Sequence, residues 1–447
     1  MTGMKRDLTK SNAHYREAVK KIPLGVASNF RFWGEDKTIY VKQGKGGRIV
    51  DLDDNVYVDY RLGYGPSILG YADPRVDEAA RQGMEVGGVF ALGTERELAV
   101  ATRISKMVPA AELVRFSNSG TEAVMAALRI ARGVTGRDDY VLLEGGYHGL
   151  FDAAMWYAPM EKWTKQGEPE IAPYSRGVPG SVRSMAHFVQ ANDANGLEEV
   201  FRKHGDRIAA LLIEPIMGNC LGIAAEPEYL RAARDLCTRY GVVMIIDEVK
   251  TGFRVARGGV QELYGIKADL CTFAKAMGNG YPISVVAGSE EIMRQVGRGI
   301  AHGGTYTGHS VSLAAAEKTL EILDETDALE RIAAYGEKVR AGLHGILAAR
   351  GIPHSFVGHA AMTGLYFASK PPRNYRDWKS SDYTFYDTMA QILIDEGVLC
   401  EPDSREPWFF CAAHDETCLS DTMRAFEYAI DQTLKSAKAE RALQASS

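Results

Sequence analysis

The stretch Pro227-Glu-Tyr-Leu-Arg-Ala-Ala-Arg-Asp-Leu-Cys-Thr-Arg-Tyr-Gly-Val-Val-Met-Ile-Ile-Asp247 decides the architecture. Leu230, Ala233, Cys237 and Tyr240 recur at helical spacing. Pro227 opens the segment and Gly241 closes it, a proline-first and glycine-last pattern that marks both helix ends. Residues 242–246 then run apolar without alternation, as a strand buried on both faces does. Residues 208–213 form a second such run upstream. Strand, helix, strand at this spacing predicts a βαβ unit in an α/β protein with a mostly parallel sheet.

The pattern extends on both sides. Residues 113–116 and 140–143 read as strands, and between them 121–132 carries Val124, Leu128 and Ala131 on one helical face. After about residue 310 helices dominate, at 312–323, 328–349, 383–396 and 419–435, with a short apolar strand at 362–367. Residues 47–59 read as a hairpin around Asp53-Asp54-Asn55, and 435–447 as a helix end followed by a frayed tail. The expectation is a large α/β domain over 61–310 and a smaller α+β domain built from 1–60 and 311–447.

Composition narrows the function. Of 447 residues 46% are hydrophobic, enough for a sizeable core, so disorder is excluded. With 52 basic and 58 acidic residues the net charge is −6, and without a basic run nucleic acid is not expected as a partner. No stretch approaches the roughly 18 apolar residues of a membrane span. Residues 1–21 are polar and lysine-rich, unlike a secretory signal. Six cysteines without a Cys-x-x-Cys pair fit reduced thiols in a cytoplasm.

In open α/β sheets ligands sit beyond the carboxyl ends of the strands, so the residues following each strand matter most. Ser117-Asn-Ser-Gly-Thr-Glu122 holds a capping box, Ser119 with Glu122, and its free amides at Gly120 and Thr121 suit an anion such as phosphate. Gly145-Gly-Tyr-His-Gly149 lets backbone approach a ligand and offers Tyr147 for stacking, with His148 beside it. Asp247 ends a buried strand, where a carboxylate must find a partner. Lys275 stands between an apolar strand and the turn Gly278-Asn-Gly-Tyr-Pro282, 28 residues beyond Asp247. Desolvation there would free its amine as a nucleophile. Taken singly, each motif also reads as a cap, a salt bridge, a turn or a snorkelling lysine. Together, a phosphate cradle, an aromatic face, a carboxylate and a lysine fit one ligand, pyridoxal 5′-phosphate.

With those motifs in order, the chain resembles the fold-type I, class III aminotransferases over nearly its whole length. Asp247-Glu-Val-Lys-Thr-Gly-Phe-Arg254 is similar to the family's Asp-Glu-Val-x-Thr-Gly-Phe-Arg segment, and Gly303-Gly-Thr-Tyr-Thr-Gly308 to its phosphate-reaching segment. The resemblance implies a large domain with a seven-stranded type of sheet. Lys275 would form the Schiff base, Asp247 would partner the ring nitrogen, and Val249 would pack opposite Tyr147. It adds Glu214 and Asn219 to the cofactor set. It gives Thr305 to the neighbouring subunit's phosphate, hence a homodimer, with pyridoxamine phosphate as the intermediate form.

Within the family the chain is most similar to the glutamate-1-semialdehyde 2,1-aminomutases. Ser28-Asn-Phe-Arg31, Tyr64 and the segment around Glu406 match that branch, which implies Ser28, Arg31, Tyr64 and Glu406 at the substrate. There are departures. Tyr64 replaces the usual tryptophan, the glycine-rich segment after the lysine is altered, and 155–183 holds Trp156, Tyr157, Trp163 and Tyr174 where a small-residue gate belongs. These lean toward transamination between separate donor and acceptor molecules; the alternative is the intramolecular aminomutase. A racemase or decarboxylase of the same fold stays open.

Other classes fit less well. Gly63-Tyr-Gly-Pro-Ser-Ile-Leu-Gly70 is not a dinucleotide fingerprint, and Gly308-His-Ser-Val-Ser312 lacks the closing glycine of a hydrolase elbow. His148, His302, His309 and His414 show no zinc-ligand spacing with the cysteines, so no metal is expected.

Overall fold

A computed structural model describes residues 6–165 and 167–445. Its centre is a seven-stranded sheet: β1 Leu113–Ser117, β2 Asp139–Leu143, β3 Ala186–Val189, β4 Ile208–Ile213, β5 Val243–Asp247, β6 Leu270–Phe273 and β7 Ser284–Gly288. The spatial order is β1-β7-β6-β5-β4-β2-β3. Strands β6, β5, β4, β2 and β3 run parallel to one another, while β7 is antiparallel to both β6 and β1. β1 therefore points the same way as the parallel strands, and six carboxyl ends meet on one edge. The segment Pro227–Tyr240 is the helix its spacing predicts, closed by Gly241 in the left-handed region at φ 62°.

The apolar runs are buried on both faces. Leu142, Leu212, Val243, Ile245 and Val286 face one core with helix α1, Gly120–Thr135. Val141, Leu211, Ile213, Met244, Ile246 and Phe273 face the other. Burying a Leu or Ile side chain contributes about 1.5–3 kcal/mol each, so these strands anchor the molecule.

Smaller sheets lie beside the large one. Arg48–Asp51 and Val56–Asp59 form the hairpin expected of residues 47–59, extended by Val41–Lys45 on one side and by Val398–Leu399 on the other. The last pairing is parallel and joins segments from opposite ends of the chain. Ser355–His359, Met362–Tyr366 and Trp408–Phe409 make a three-stranded sheet. Arg254, 1% exposed, links these parts by donating to the carbonyls of Gly65, Ala361 and Phe410.

The final helix, Glu416–Ala445, runs beyond the expected end at residue 435. Within the tail reading, residues 446 and 447 lie outside the described residues, as do residues 1–5 of the polar N-terminal reading. All six cysteines are buried and unpaired. Among the described residues no helix is long and apolar enough to cross a membrane.

Candidate active site

The carboxyl ends of β1, β2, β4, β5 and β6 deliver their following residues into one cavity of about 160 Å³. Gly120, Thr121, Tyr147, His148, Glu214, Asp247, Val249, Lys250 and Lys275 line it. Sequence reading predicted all of these except Lys250.

At the start of α1 the capping box is complete. Ser119 Oγ accepts from the Glu122 amide at 3.3 Å, and Glu122 Oε2 accepts from the Ser119 amide at 2.8 Å. The Ala123 amide goes to the Ser119 carbonyl at 3.1 Å. Gly120 and Thr121 are left with amides open at a helix N-terminus, where an anion is stabilised. A Cβ on Gly120 would sit 3.0 Å from Val249 Cγ1. Glycine is what lets the helix start and Val249 lie so close.

Asp247 is 4% exposed. Its Oδ2 lies 2.8 Å from His148 Nδ1, and its Oδ1 accepts from the Val249 amide at 3.0 Å and Thr272 Oγ1 at 3.2 Å. Burial alone would lower the His148 pKa, yet the adjacent carboxylate holds it above its ordinary value. Glu214 accepts from the amides of Tyr147 at 2.7 Å and Gly218 at 3.1 Å, fixing the loop that carries the aromatic ring. Burial, with Asp247 nearby, raises the Glu214 pKa against the opposing charges of His148 and Lys250.

Lys275 follows β6 with φ 45°, a left-handed conformation that costs a non-glycine residue about 1–3 kcal/mol and clusters at functional sites. It lines the cavity, and desolvation there, reinforced by the charge of Lys250, pulls its ammonium down to about 7. Much of the amine is therefore unprotonated near neutrality, as a nucleophile requires.

Lys250 occupies the variable position of Asp247-Glu-Val-Lys-Thr-Gly-Phe-Arg254. Its Nζ donates to the Gly218 carbonyl at 2.9 Å, Asn219 Oδ1 at 2.7 Å and Glu406 Oε2 at 2.6 Å. These use all three ammonium protons. A lysine directly after a buried strand end was the available signal. Its partner Glu406 lies 156 residues away, a pairing no local pattern reveals.

A second cavity, about 370 Å³, adjoins the first and shares Tyr147 and Gly149 with it. Trp156, Tyr157, Tyr174, Tyr375 and Trp378 form its aromatic wall, with Asn219 and Arg405 as polar members. Tyr64 donates to the Phe30 carbonyl at 2.7 Å and lies under the Arg61 guanidinium, 4.7 Å from ring centre to Cζ. Arg61 also pairs with Glu401 at 2.8 Å.

The remaining predicted residues are not in these cavities. Arg31 is exposed, and neither it nor Ser28 lines either one. Their neighbour Phe30 meets Tyr147 edge to face at 6.3 Å, which puts the segment at the rim. Thr305 is exposed on a separate cavity of about 690 Å³, beside Phe90, Leu92 and Leu98.

The family profile described as aminotransferase class-III matches residues 32–425. A glutamate-1-semialdehyde 2,1-aminomutase of Methanosphaera stadtmanae is 34% identical over 96% of this chain and 100% of its own length. An omega-transaminase from Sphaerobacter thermophilus superposes with a TM-score of 0.87 at 30% identity, covering 94% of this chain and 97% of that one. A transaminase solved with PLP bound gives a TM-score of 0.87 at 27% identity, covering 97% and 100%. Open helix-terminal amides, a buried carboxylate, an aromatic ring and a desolvated lysine around one cavity are the donor set pyridoxal phosphate requires. The chain belongs to the class-III aminotransferases, pyridoxal-phosphate enzymes of fold type I.

Proposed function

We propose that the enzyme moves an amino group from a carboxylate-bearing amine donor to a separate keto or aldehyde acceptor. The observation that carries this reading is the aromatic cavity beside the cofactor cavity. A mutase must retain its intermediate until the second half-reaction, whereas a transaminase must release a product. A 370 Å³ chamber walled by Tyr157, Tyr174, Tyr375 and Trp378 suits a bulky apolar side chain and an open exit. Arg405 and Asn219 at its edge offer donors for a carboxylate.

Bound in the strand-end cavity, pyridoxal phosphate supplies the electron-withdrawing ring that lets a proton leave the substrate carbon. Lys275 is the amine that would hold the aldehyde carbon and, once displaced, take and return the substrate proton. Asp247, steadied by His148, Thr272 and the Val249 amide, would keep the ring nitrogen protonated. The amides of Gly120 and Thr121 would receive the phosphate, and Tyr147 and Val249 would cover the ring faces. Lys250, which lines the cofactor cavity, is neutralised by the buried Glu406, so the pair brings no net charge beside Lys275.

The reading includes a homodimer in which Thr305 reaches the partner's phosphate. In support, Leu92 is 79% exposed and Leu98 72% exposed beside it, an apolar patch that suits a second copy. It also keeps 61–310 as the cofactor-binding domain.

The second reading, glutamate-1-semialdehyde 2,1-aminomutase, is favoured by the name of a relative matched along its whole length. Single donors mixed with holoenzyme, without acceptor, separate the two. Stable loss of the visible cofactor band with one donor supports the transaminase and names its substrate class. Conversion of glutamate-1-semialdehyde to 5-aminolevulinate without acceptor would replace it with the mutase.

A further inference from the structure

At the β3 edge of the sheet, away from the strand-end cavity, Glu168, His187 and His204 turn their side chains toward one another. They come from three elements: the excursion between β2 and β3, strand β3 itself, and the last residue of helix α2, Ala194–His204. Glu168 Oε2 lies 2.6 Å from His187 Nδ1, and Oε1 lies 2.9 Å from His204 Nε2. The two imidazoles stack at 4.4 Å with planes 29° apart. One ligand atom from each residue falls within 4.8 Å of the others.

The surroundings match what a metal-bound histidine needs. His187 Nε2, the nitrogen turned away from Glu168, lies 3.0 Å from Asp139 Oδ2. A carboxylate in that position fixes the tautomer and leaves Nδ1 free as a donor to a cation. Arg207 holds Asp139 in place through Nε at 2.9 Å. His204 ends its helix, where the carbonyl end of the dipole favours positive charge. Lys203, with Nζ 3.9 Å from Glu168, is the opposing charge, but its side chain is 66% exposed and free to turn to water. A cavity of about 400 Å³ opens on Glu168 and on neither histidine, so a cation would approach from the carboxylate side.

We propose that Glu168, His187 Nδ1 and His204 Nε2 form a binding site for a divalent transition cation of the zinc class, with water as the fourth ligand. Two imidazoles and one carboxylate are a ligand set that such ions accept at about 2.0–2.2 Å. The bound ion ties the 155–183 excursion to the sheet. That excursion carries Trp163, whose ring meets Tyr375 of the aromatic cavity at 6.1 Å, and Thr164, whose carbonyl accepts from Arg376 at 2.7 Å. The site thus braces the wall of the chamber. It stands on its own residues and holds whichever reaction the enzyme performs.

Chelator-stripped holoenzyme titrated with Co²⁺ tests this. The expected result is saturable visible d–d absorption at one equivalent per chain, without the intense near-ultraviolet band of a cobalt thiolate, and its displacement by Zn²⁺. Glu168→Gln and His204→Ala should each weaken binding at least tenfold, and Asp139→Asn by about 10–100-fold. The visible cofactor band and the circular dichroism of each variant report that it is folded. Absence of Co²⁺ binding at millimolar metal, equal binding by wild type and the folded variants, or a thiolate band would each overturn the proposal.

Discussion

In the strand-end cavity, Asp247, Glu214 and Lys250 use their polar atoms on neighbours of the same chain. On the rim, Arg31 is exposed, and Arg405 pairs with Asp403, two residues away. The first region hangs from five strand ends of a sheet buried on both faces. The second is carried by loops around 28–31, 155–183 and 403–406. A rigid scaffold can hold one cofactor unchanged while loops that cost little to alter adapt to different substrates. The same contrast explains why the cavity fits its cofactor so specifically while the rim leaves two reactions to be separated by experiment.

Substitutions can break this contrast, beginning where the effect is greatest. Lys275→Ala removes the proposed covalent anchor and proton carrier together, and turnover should fall by about 10⁴-fold. Borohydride treatment followed by mass measurement of the denatured chain should then find no fixed cofactor. Asp247→Asn leaves the shape but removes the charge proposed to meet the ring nitrogen. A loss of about 10²–10³-fold in kcat is expected, by analogy with removal of one preorganised electrostatic group, and steady-state rates check it.

Lys250→Met breaks a pair whose two side chains are only 5% and 9% exposed. Leaving Glu406 buried and unpaired costs about 3–5 kcal/mol, while adding Glu406→Gln should restore much of the melting temperature. Lys250 also depresses the Lys275 pKa. In the apoprotein of Lys250→Met alone, where Glu406 still favours the ammonium, the pH at which Lys275 reacts with an amine reagent should therefore rise above about 7. A Lys275 pKa held below its unfolded value opposes folding most at and below the folded pKa, and the penalty fades as pH rises toward the unfolded one. Lys275→Met should accordingly stabilise the apoprotein more at pH 7 than at pH 10, read from thermal melts.

On the rim the effects should be smaller and selective. Arg405→Ala is expected to raise KM for carboxylate donors about tenfold and leave neutral amines nearly unchanged, the signature of lost ground-state binding. Arg31→Ala should do the same more weakly, by a few-fold. Equal losses on both donor types would remove the arginine concerned from carboxylate recognition.

The sheet was legible because its strands are continuous apolar runs and its helices carry clear ends, as in 227–247. Strands β3 and β7 were not read, since Ala186–Val189 and Ser284–Gly288 are short, and the antiparallel direction of β7 leaves no local mark. Gly120, Thr121, Tyr147, His148, Asp247 and Lys275 were legible because each lies at or just after a strand end or opens a helix, whereas Glu214, Asn219, Val249 and Thr305 came from the family resemblance alone. Lys250 with Glu406, and Glu168 with His187 and His204, were not, because these groups meet only when distant segments fold together. The final helix outran its predicted end because its polar, alanine-rich last turns favour helix by propensity without an apolar stripe to announce it.

The parallel pairing of Val398 with Val58 has a consequence for synthesis. The hairpin edge at 56–59 leaves the ribosome some 340 residues before its partner. At 5–20 residues per second that is a wait of roughly 20–70 s with an unpaired strand edge in solution. Val56 is exposed even in the finished fold, whereas Tyr57 and Val58 are covered. A nascent chain stalled before residue 398 should therefore be the form most prone to pair with the wrong strand, and the form a chaperone would hold.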